Sequence, residues 1–320
     1  MTPFTSSRVQ SVTAQGERRL IAGIRRWLGR ASPASPFGIG DDCAVIPPTK
    51  HRQLVTTDPV IHGQHFDATV PPRAVGAKLL KRNLSDIAAM GGRPVAAVVS
   101  LALGPNTSLR WLREFHLGLA ACALKHGVKI VGGDITQGPA GFFGAFLTLH
   151  GESAGRRLVT RSGARLGDLI YVTGTLGGSL LGHHHQFTPR LAEGAWLSER
   201  ADVRAMMDVS DGLAKDLDSL TPAGLMPALQ ASAIPISAAA RQRAKATKRS
   251  PLFHALGDGE DYELLVVARA LADTTRFESA WRKRFPRLKL SRLGRFVSNK
   301  VQLPAGALRL SDYQGYEHLR

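Results

Sequence analysis

The stretch RAVGAKLLKRNLSDIAAMGGRPVAAVVSLAL, residues 73–103, places a helical pattern directly before a strand pattern. Residues 73–90 have the apolar spacing of an α-helix, and Gly91 and Gly92 follow as a stop signal. Residues 94–103 form an apolar run of the length of a buried strand. A long helix followed at once by a buried strand predicts a fold that mixes α and β elements.

Asp86 is the unusual residue of this predicted helix. At about 100° per residue, its side chain projects within roughly 40° of Val75, Leu79 and Met90. A carboxylate among apolar side chains is costly unless it is paired with a cation or binds a metal ion. A cap or an ion pair with a neighbouring element is one interpretation. A metal-binding role is favoured, because other carboxylates occur in loops elsewhere in the chain.

Both halves of the chain alternate predicted strands and helices, which favours two mixed domains over 1–150 and 151–320. The boundary is placed where a Gly- and Arg-rich stretch, residues 151–167, begins. Three candidate capping residues at 106–108 precede a helix that is predicted to run to Gly127. The other predicted elements are helices over 17–28 and from about 210–212, and strands over 43–46, 53–57, 128–131, 142–150, 169–173 and 262–267.

Composition limits the class of protein. Apolar residues make up 43% of the 320 residues, which excludes wholesale disorder. Two cysteines, Cys43 and Cys122, exclude a disulfide scaffold and are interpreted as small core residues. The apolar runs are about half the ~20 residues that a membrane span needs, and the first thirty residues lack a signal-peptide pattern. We therefore expect a cytoplasmic protein without a membrane partner.

The charge balance is strongly basic, with 42 Lys and Arg against 25 Asp and Glu, a net charge of +17. Such a charge attracts nucleic acids or small anions. The basic runs contain no zinc-finger or helix-turn-helix signature, so nucleic acid is not the expected partner. A basic nucleic-acid binder that has lost catalysis stays open as the alternative from another functional class.

The acidic residues are few and are grouped. Of the 25, 16 are Asp, and eleven lie in short Gly-rich clusters, where we expect cations. Carboxylate and hydroxyl oxygens suit Mg²⁺, which uses one or two carboxylates together with substrate phosphates. The backbone N–H groups of residues 210–212, the glycine loop 174–178 and Arg161 are candidate anion ligands. The residues alone thus predict a polyphosphate site with several magnesium ions.

Several other catalytic arrangements are missing from the sequence. It holds no G-x-x-x-x-G-K-[ST] phosphate loop, no H-E-x-x-H zinc pair and no G-x-S-x-G nucleophile elbow. The triplet His183-His184-His185 is interpreted as a solvent-exposed loop, because three consecutive imidazoles do not easily surround one ion.

Seven motifs in a fixed order resemble the thiamine-monophosphate kinase family, over a stretch from about residue 15 to the C-terminus. Any one of them would be a weak signal, and it is their common order that makes the resemblance specific. The motifs are GIGDDCAVI (38–46), TTD (56–58) with HF (65–66), KRNLSDIAAMGG (81–92), VGGDIT (131–136), DVSDGL (208–213), GEDYEL (259–264) and GYEH (315–318).

The resemblance implies ATP-dependent phosphorylation of thiamine monophosphate to thiamine diphosphate by direct in-line transfer, assisted by several Mg²⁺ ions; K⁺ is left open. It implies an α+β fold of the aminoimidazole ribonucleotide synthetase type. The N-terminal domain, which binds ATP and Mg²⁺, would pair across a homodimer, and the C-terminal domain would complete the site. Sister enzymes of this superfamily fit less well. A selenophosphate synthetase would carry a reactive Cys or selenocysteine together with a Lys in its N-terminal segment, and residues 1–36 hold neither Cys nor Lys. A hydrogenase-maturation dehydratase would end in a Cys, whereas this sequence ends at Arg320.

The resemblance also assigns site residues. The metal ligands it implies are Asp41, Thr56, Thr57, Asp58, Asp86, Asp134, Asp208 and Asp211. Catalysis is assigned to Asp58, Asp208 and Asp211, ATP binding to Gly133, Asp134, Arg161 and Ser210, and thiamine monophosphate binding to His65, Glu260 and Tyr316.

Overall fold

The computed structural model describes residues 1–34, 37–39, 46–155, 157–270, 274–303, 307–313 and 315–316. The predicted ligand Asp41 and residues 43–45 of the predicted strand over 43–46 lie outside the described residues. The chain divides into two units, one of Met1–Ile87 with Arg93–Ser153 and the other of Ala88–Gly92 with Ala154–Arg320. Among the described residues, no helix is both long enough and apolar enough to cross a membrane.

The first unit is built on a four-stranded sheet in the order β1-β4-β2-β3. Strand β1 pairs with β4 antiparallel, whereas β2 pairs with β3 parallel. Its elements are α1 (Glu17–Leu28), β1 (Gln53–Ile61), α2 (Pro72–Ala89), β2 (Gly92–Leu103), α3 (Leu109–His126), β3 (Lys129–Gln137) and β4 (Phe143–Ser153).

Helix α3 carries the aromatic core of this unit and confirms the predicted capping. The Ser108 side chain accepts a hydrogen bond from the backbone N–H of Trp111, and Gly127 ends the helix in the left-handed conformation at φ 70°. Trp111 is fully buried, and its ring centroid lies 4.7 Å from that of Phe143 on β4. Packing of these rings holds α3 against the sheet.

The second unit is built on a five-stranded sheet in the order β6-β8-β5-β9-β7, with antiparallel pairing of neighbours. Its elements are β5 (Leu169–Thr173), α4 (His183–Gln186), α5 (Leu191–Ser198), β6 (Val203–Asp208), α6 (Leu213–Leu220), β7 (Leu225–Leu229), α7 (Ala238–Thr247), α8 (Pro251–Gly257), β8 (Leu264–Ala268), α9 (Thr275–Arg284) and β9 (Leu290–Ser298).

Both faces of this sheet are covered. Along β5, Ile170 and Val172 belong to one core cluster, while Tyr171 between them belongs to the other. The same alternation continues on β8, where Leu265 faces the first cluster and Leu264 the second. Burial on both faces explains why β5 and β8 appear in the sequence as nearly continuous apolar runs.

The element boundaries confirm part of the sequence prediction and correct part of it. Helix 17–28 and strand 169–173 have the predicted bounds, but β1 continues to Ile61 beyond the predicted end at residue 57. Strand β3 runs through Gly132 and Gly133, where the sequence predicted its end. A Cβ at Gly133 would lie 2.1 Å from the Val99 carbonyl oxygen, so this glycine permits close strand pairing and does not break the strand.

One largely buried ion pair links the residue before helix α5 to the residue before strand β8 in the second unit. The guanidinium of Arg190 donates from Nε to Glu263 Oε2 at 2.8 Å and from a second nitrogen to the other carboxylate oxygen. Glu263 is 2% exposed and also accepts a hydrogen bond from the Thr173 hydroxyl at 2.6 Å. Both oxygens of the Glu263 carboxylate are therefore hydrogen-bonded, and its charge is balanced, as long as Arg190 is present.

Replacing Arg190 with Ala is expected to lower the free energy of unfolding by about 3–5 kcal/mol, because it leaves a buried carboxylate without its countercharge. Arg73→Ala is the matched control. It removes an ion pair with Glu114 in which the Arg73 side chain is 64% exposed, and we expect a change of about 0–1 kcal/mol. Urea unfolding measures both; equal effects would contradict the structural role of the Arg190 pair.

Candidate active site

The first group of predicted site residues lies where β1 faces helix α2. The Thr56 hydroxyl donates to the carboxylate of Asp86, and Asp58, two residues further along the strand, pairs with Arg82 at 3.1 Å. Residues two apart on a strand share one face, so Thr56 and Asp58 both meet α2. Asp86 is therefore paired with a strand hydroxyl, and this oxygen-rich contact is local to the first unit.

Thr57 and His65 occupy different positions relative to this contact. The Thr57 hydroxyl donates to the carbonyl oxygen of Leu147 on β4, on the other side of the strand from Thr56. The ring of His65 accepts the backbone N–H of Ile61 at Nδ1, 3.1 Å away. The fully buried Lys78 of α2 donates to the His65 carbonyl oxygen at 2.7 Å. Helix α2 thus contacts Thr56, Asp58 and the His65 backbone.

Gly133 and Asp134 belong to a pocket of about 600 Å³ in the first unit. Helices α1 and α3 and strands β2 and β3 line it mostly with apolar side chains. Among the described residues that line it, the polar side chains are Glu17, His116 and Asp134. A cavity of this size and composition is large enough for a flat heterocyclic ligand.

Asp134 and Asp58 lie on strands at opposite edges of the first sheet. Strand β1 is one edge and β3 the other, with β4 and β2 between them. Three strand spacings correspond to roughly 14 Å. Within one copy of this unit, the predicted ligands therefore form two separate groups.

In the second unit, four predicted site residues come together around the loop that follows β6. The backbone N–H of Glu260 donates to the Ser210 carbonyl oxygen at 2.7 Å, and that of Tyr316 donates to the Asp211 carbonyl oxygen at 2.9 Å. Lys215 joins the group by pairing with Asp211 at 2.9 Å and donating to the Tyr316 carbonyl oxygen at 2.6 Å. Motifs far apart in the sequence thus share one corner of the second unit.

The two remaining predicted residues of this unit differ in exposure. Asp208 is the last residue of β6 and is 2% exposed. Arg161 is exposed, in a segment that runs beside the same strand, where the Met206 N–H donates to the Thr160 carbonyl oxygen at 3.0 Å. Asp208 therefore lies at the buried base of the loop that carries Ser210.

The backbone amides of residues 210–212 already have an acceptor within the chain. The N–H groups of Ser210, Asp211 and Gly212 all donate to one oxygen of Asp216, at 2.9, 3.0 and 3.1 Å. The expectation that these amides bind an external anion is therefore wrong. Burial, and next the charge of Asp211, raise the pKa of the Asp216 carboxyl to about 7.

The glycine loop 174–178 uses its amides in the same way. The N–H of Gly177 donates to Asp261 and that of Gly178 to Asp258, both at 2.8 Å. Burial raises the pKa of the Asp261 carboxyl well above its usual range. The expectation that this loop holds phosphate oxygens is also wrong, since the acids that the sequence grouped with glycines serve as its internal acceptors.

Glu260 is held in a strained backbone conformation. Its φ is 53°, and that of Tyr262 is 51°, values that side-chain-bearing residues rarely adopt. The Tyr262 hydroxyl donates to Glu260 at 3.1 Å, and His184 lies 3.7 Å from the other carboxylate oxygen. His184 is buried on the short helix α4, so the interpretation of the His triplet as a solvent-exposed loop is wrong.

The donor set of these groups is compatible with Mg²⁺. Among the residues that the structure describes, no three His, Cys, Asp or Glu side chains lie close enough together to hold a metal ion by themselves. Magnesium usually takes only one or two carboxylates and completes its shell with water and phosphate oxygens. The Thr56–Asp86 contact and the neighbouring Asp58 offer hard oxygen donors of that kind.

Comparison with known proteins connects this geometry to a family. Residues 40–152 match the family described as AIR synthase related protein, N-terminal domain. The thiamine-monophosphate kinase of Rhodopirellula baltica is 40% identical over 252 residues, which cover 75% of this chain and 78% of that protein. The chain belongs to the thiamine-monophosphate kinase family.

Solved structures of thiamine-monophosphate kinases share the fold. The crystal structure of the Stenotrophomonas maltophilia enzyme is 32% identical, with a TM-score of 0.72 over 90% of this chain and 96% of that one. A structure described as AaThiL complexed with AMPPCP and TMP is 28% identical, with a TM-score of 0.71 over 96% and 98%. The resemblance and the α+β fold expected from it are confirmed.

Asp216 is a residue of this region that the sequence analysis missed. The signal was an acidic residue in the first turn of a helix that follows a Ser-Asp-Gly loop, a position that favours bonding to free N–H groups. Because it bonds three consecutive amides, Asp216 fixes the path of the loop that carries Ser210 and Asp211.

Replacing Asp216 with Ala is expected to lower the free energy of unfolding by about 1–3 kcal/mol, because three amides lose their acceptor. Asp216→Asn keeps a carbonyl oxygen in place and should lose less. Asp218→Ala, at an exposed position of the same helix, is the control, with an expected change within about 0.5 kcal/mol. Chemical denaturation compares the three; equal losses for the Ala variants would count against the role of Asp216.

Proposed function

We propose that this protein phosphorylates thiamine monophosphate to thiamine diphosphate with ATP, in the presence of several Mg²⁺ ions. The observation that carries the proposal is the contact of Thr56 with Asp86, beside Asp58, in a member of this kinase family. It supplies hard oxygen donors on one rigid strand and one helix. The comparison structure with AMPPCP and TMP supports the choice of substrates.

Each unit has its own part in the proposal. In the first unit, the pocket at Gly133 and Asp134 takes ATP, and His65 contacts thiamine monophosphate. In the second, the side chains of Arg161 and Ser210 contact ATP, and Glu260 and Tyr316 contact thiamine monophosphate. The proposed Mg²⁺ ligands are Asp41, Thr56, Thr57, Asp58, Asp86, Asp134, Asp208 and Asp211, of which Asp58, Asp208 and Asp211 are the catalytic carboxylates.

Charge repulsion is the main obstacle to this reaction. The second pKa of a phosphate monoester is near 6, so at neutral pH the acceptor is largely a dianion and needs no general base. Bound Mg²⁺ would supply charge neutralisation between this dianion and the polyphosphate. Arg82 and Lys215 keep Asp58 and Asp211 in fixed positions through ion pairs of 3.1 and 2.9 Å, so the carboxylates are oriented beforehand.

Further parts of the proposal concern assembly and location. Strand β1 is an edge of its sheet, and Val55 on it is 70% exposed, which supports pairing of this edge across a homodimer. We propose a cytoplasmic enzyme, with K⁺ as a further cation to test. The basic surface would attract anionic substrates, and nucleic acid has no part in the proposed reaction.

Incubation with Mg-ATP and thiamine monophosphate is expected to yield thiamine diphosphate, followed by chromatography. Asp58→Asn and Asp208→Asn should each lower kcat on the order of 100-fold, because charge stabilisation of the transferred group is lost. Asp218→Asn, an exposed carboxylate that the proposal leaves unused, serves as the control. No product from the unaltered protein would refute the function, and unchanged rates in both variants would refute the assigned carboxylates.

Direct in-line transfer predicts inversion at phosphorus when the γ-phosphoryl group of ATP is made chiral with oxygen isotopes and sulfur. A single displacement inverts the configuration, because the acceptor attacks opposite the leaving group. Two displacements through a phosphorylated protein would retain it. The configuration of the product, read by phosphorus NMR, distinguishes the two; retention would contradict the proposed mechanism.

A further inference from the structure

His116 of helix α3 is a buried polar residue for which the family resemblance assigns no role. It is 1% exposed and lines the 600 Å³ pocket that also contains Gly133 and Asp134. Its ring lies 5.6 Å from that of Trp27 and 5.3 Å from that of Phe115, measured between centroids. These neighbours hold the imidazole in one orientation.

The hydrogen bonding of His116 fixes which ring nitrogen carries the proton. Nδ1 lies 2.9 Å from the carbonyl oxygen of Leu112, and a carbonyl can only accept, so Nδ1 is the donor. Burial lowers the pKa of His116 to about 4, which keeps the ring neutral at pH 7. In a neutral imidazole with the proton on Nδ1, Nε2 carries a lone pair and accepts hydrogen bonds.

The surroundings of the ring suit a flat heterocycle. Apolar side chains from four elements line the pocket, among them Ile24 of α1, Leu119 of α3 and Ile130 of β3. Gly132 and Gly133 of β3, which carry no side chains, also line the pocket. A ligand that buries its faces here needs few polar groups, and the polar groups it has must match those of the pocket edge.

We propose that Nε2 of His116 accepts a hydrogen bond from the exocyclic amino group of adenine and thereby selects ATP over GTP. Adenine presents an N–H donor at its six-position, whereas guanine presents a carbonyl oxygen there. An acceptor whose protonation state is fixed bonds the first and repels the second. The inference rests on the proposed function in that the pocket takes the nucleotide.

The competing interpretation is that His116 only fills the core. Its bond to Leu112 and its ring contacts would serve that role equally well. A purely structural histidine would make the variants less stable, but the loss would be the same for every nucleotide. Deletion of the acceptor from the protein and of the amino group from the ligand therefore distinguishes the two interpretations.

The experiment measures equilibrium binding of AMPPCP, of GMPPCP and of the analogue whose purine lacks the six-amino group, by calorimetry on the full chain. His116→Phe keeps an aromatic ring and removes the acceptor. His126→Phe makes the same change near the end of the same helix, at a residue that does not line the pocket, and is the control. Thermal melting of both variants verifies that they are folded.

In the unaltered protein, loss of the amino group is expected to weaken binding roughly 5- to 150-fold, because it leaves the buried Nε2 acceptor unpaired at a cost that corresponds to that range. GMPPCP should bind more weakly still. In His116→Phe, loss of the amino group should weaken binding by less than about 2-fold, while the His126→Phe control keeps the full affinity ratio between AMPPCP and the amino-free analogue. Equal affinities of the unaltered protein for AMPPCP and the amino-free analogue would overturn the inference without any variant.

A kinase assay on the same samples separates this inference from the proposed function. If the protein binds AMPPCP with the expected ratios but forms no thiamine diphosphate, the His116 inference stands and the proposed function is refuted. If it forms thiamine diphosphate while His116→Phe keeps the full analogue ratio, the function stands and the inference is refuted. If it binds none of the three nucleotides, both are refuted.

Discussion

Buried carboxylates that accept the backbone amides of loops are the interaction on which the second unit depends. A loop that turns sharply at the surface of a sheet leaves N–H groups that its own backbone does not satisfy. Asp216 binds three such groups, and Asp258 and Asp261 bind one each. The loop after β6 and the glycine loop after β5 owe their paths to these side chains.

Because carboxylates of this kind bind backbone amides, a cluster of acidic residues in this basic chain does not by itself indicate a cation site. With 25 acids against 42 bases, we expected grouped acids to attract cations. Some of these acids do bind cationic side chains, since Glu263 pairs with Arg190 and Asp58 pairs with Arg82. Others accept hydrogen bonds from backbone amides instead. A carboxylate near glycines in a sequence thus has two possible partners, an external cation or an internal amide, and spacing alone does not distinguish them.

The parts of the fold that could be predicted are those set by local chemistry. Helix 17–28 follows from its amphipathic pattern, and the ends of α3 follow from Ser108 and Gly127. Strand β3 was predicted too short because its glycines were interpreted as a stop, while the reason for Gly133 is the Val99 carbonyl of a neighbouring strand. The sequence does not show such a tertiary contact. The same holds for His184, which is buried and lies 3.7 Å from the carboxylate of Glu260, far away in the sequence.

The candidate site was predicted at the level of motifs, and its geometry was not. Motif order identified the family, and the second unit gathers Ser210, Asp211, Glu260 and Tyr316 at one corner. Strand order, which the motifs do not encode, separates Asp134 from Asp58.

The bare backbone at Gly132 and Gly133 has a consequence for how the pocket can change in evolution. Where these glycines line the pocket, the protein presents peptide groups, whose charge and polarity a substitution elsewhere cannot alter, and the Val99 oxygen leaves no room for a side chain at 133. A new ligand preference at this part of the pocket therefore has to come from neighbouring side chains, such as His116 of α3 or Asp134 of β3, and not from position 133 itself.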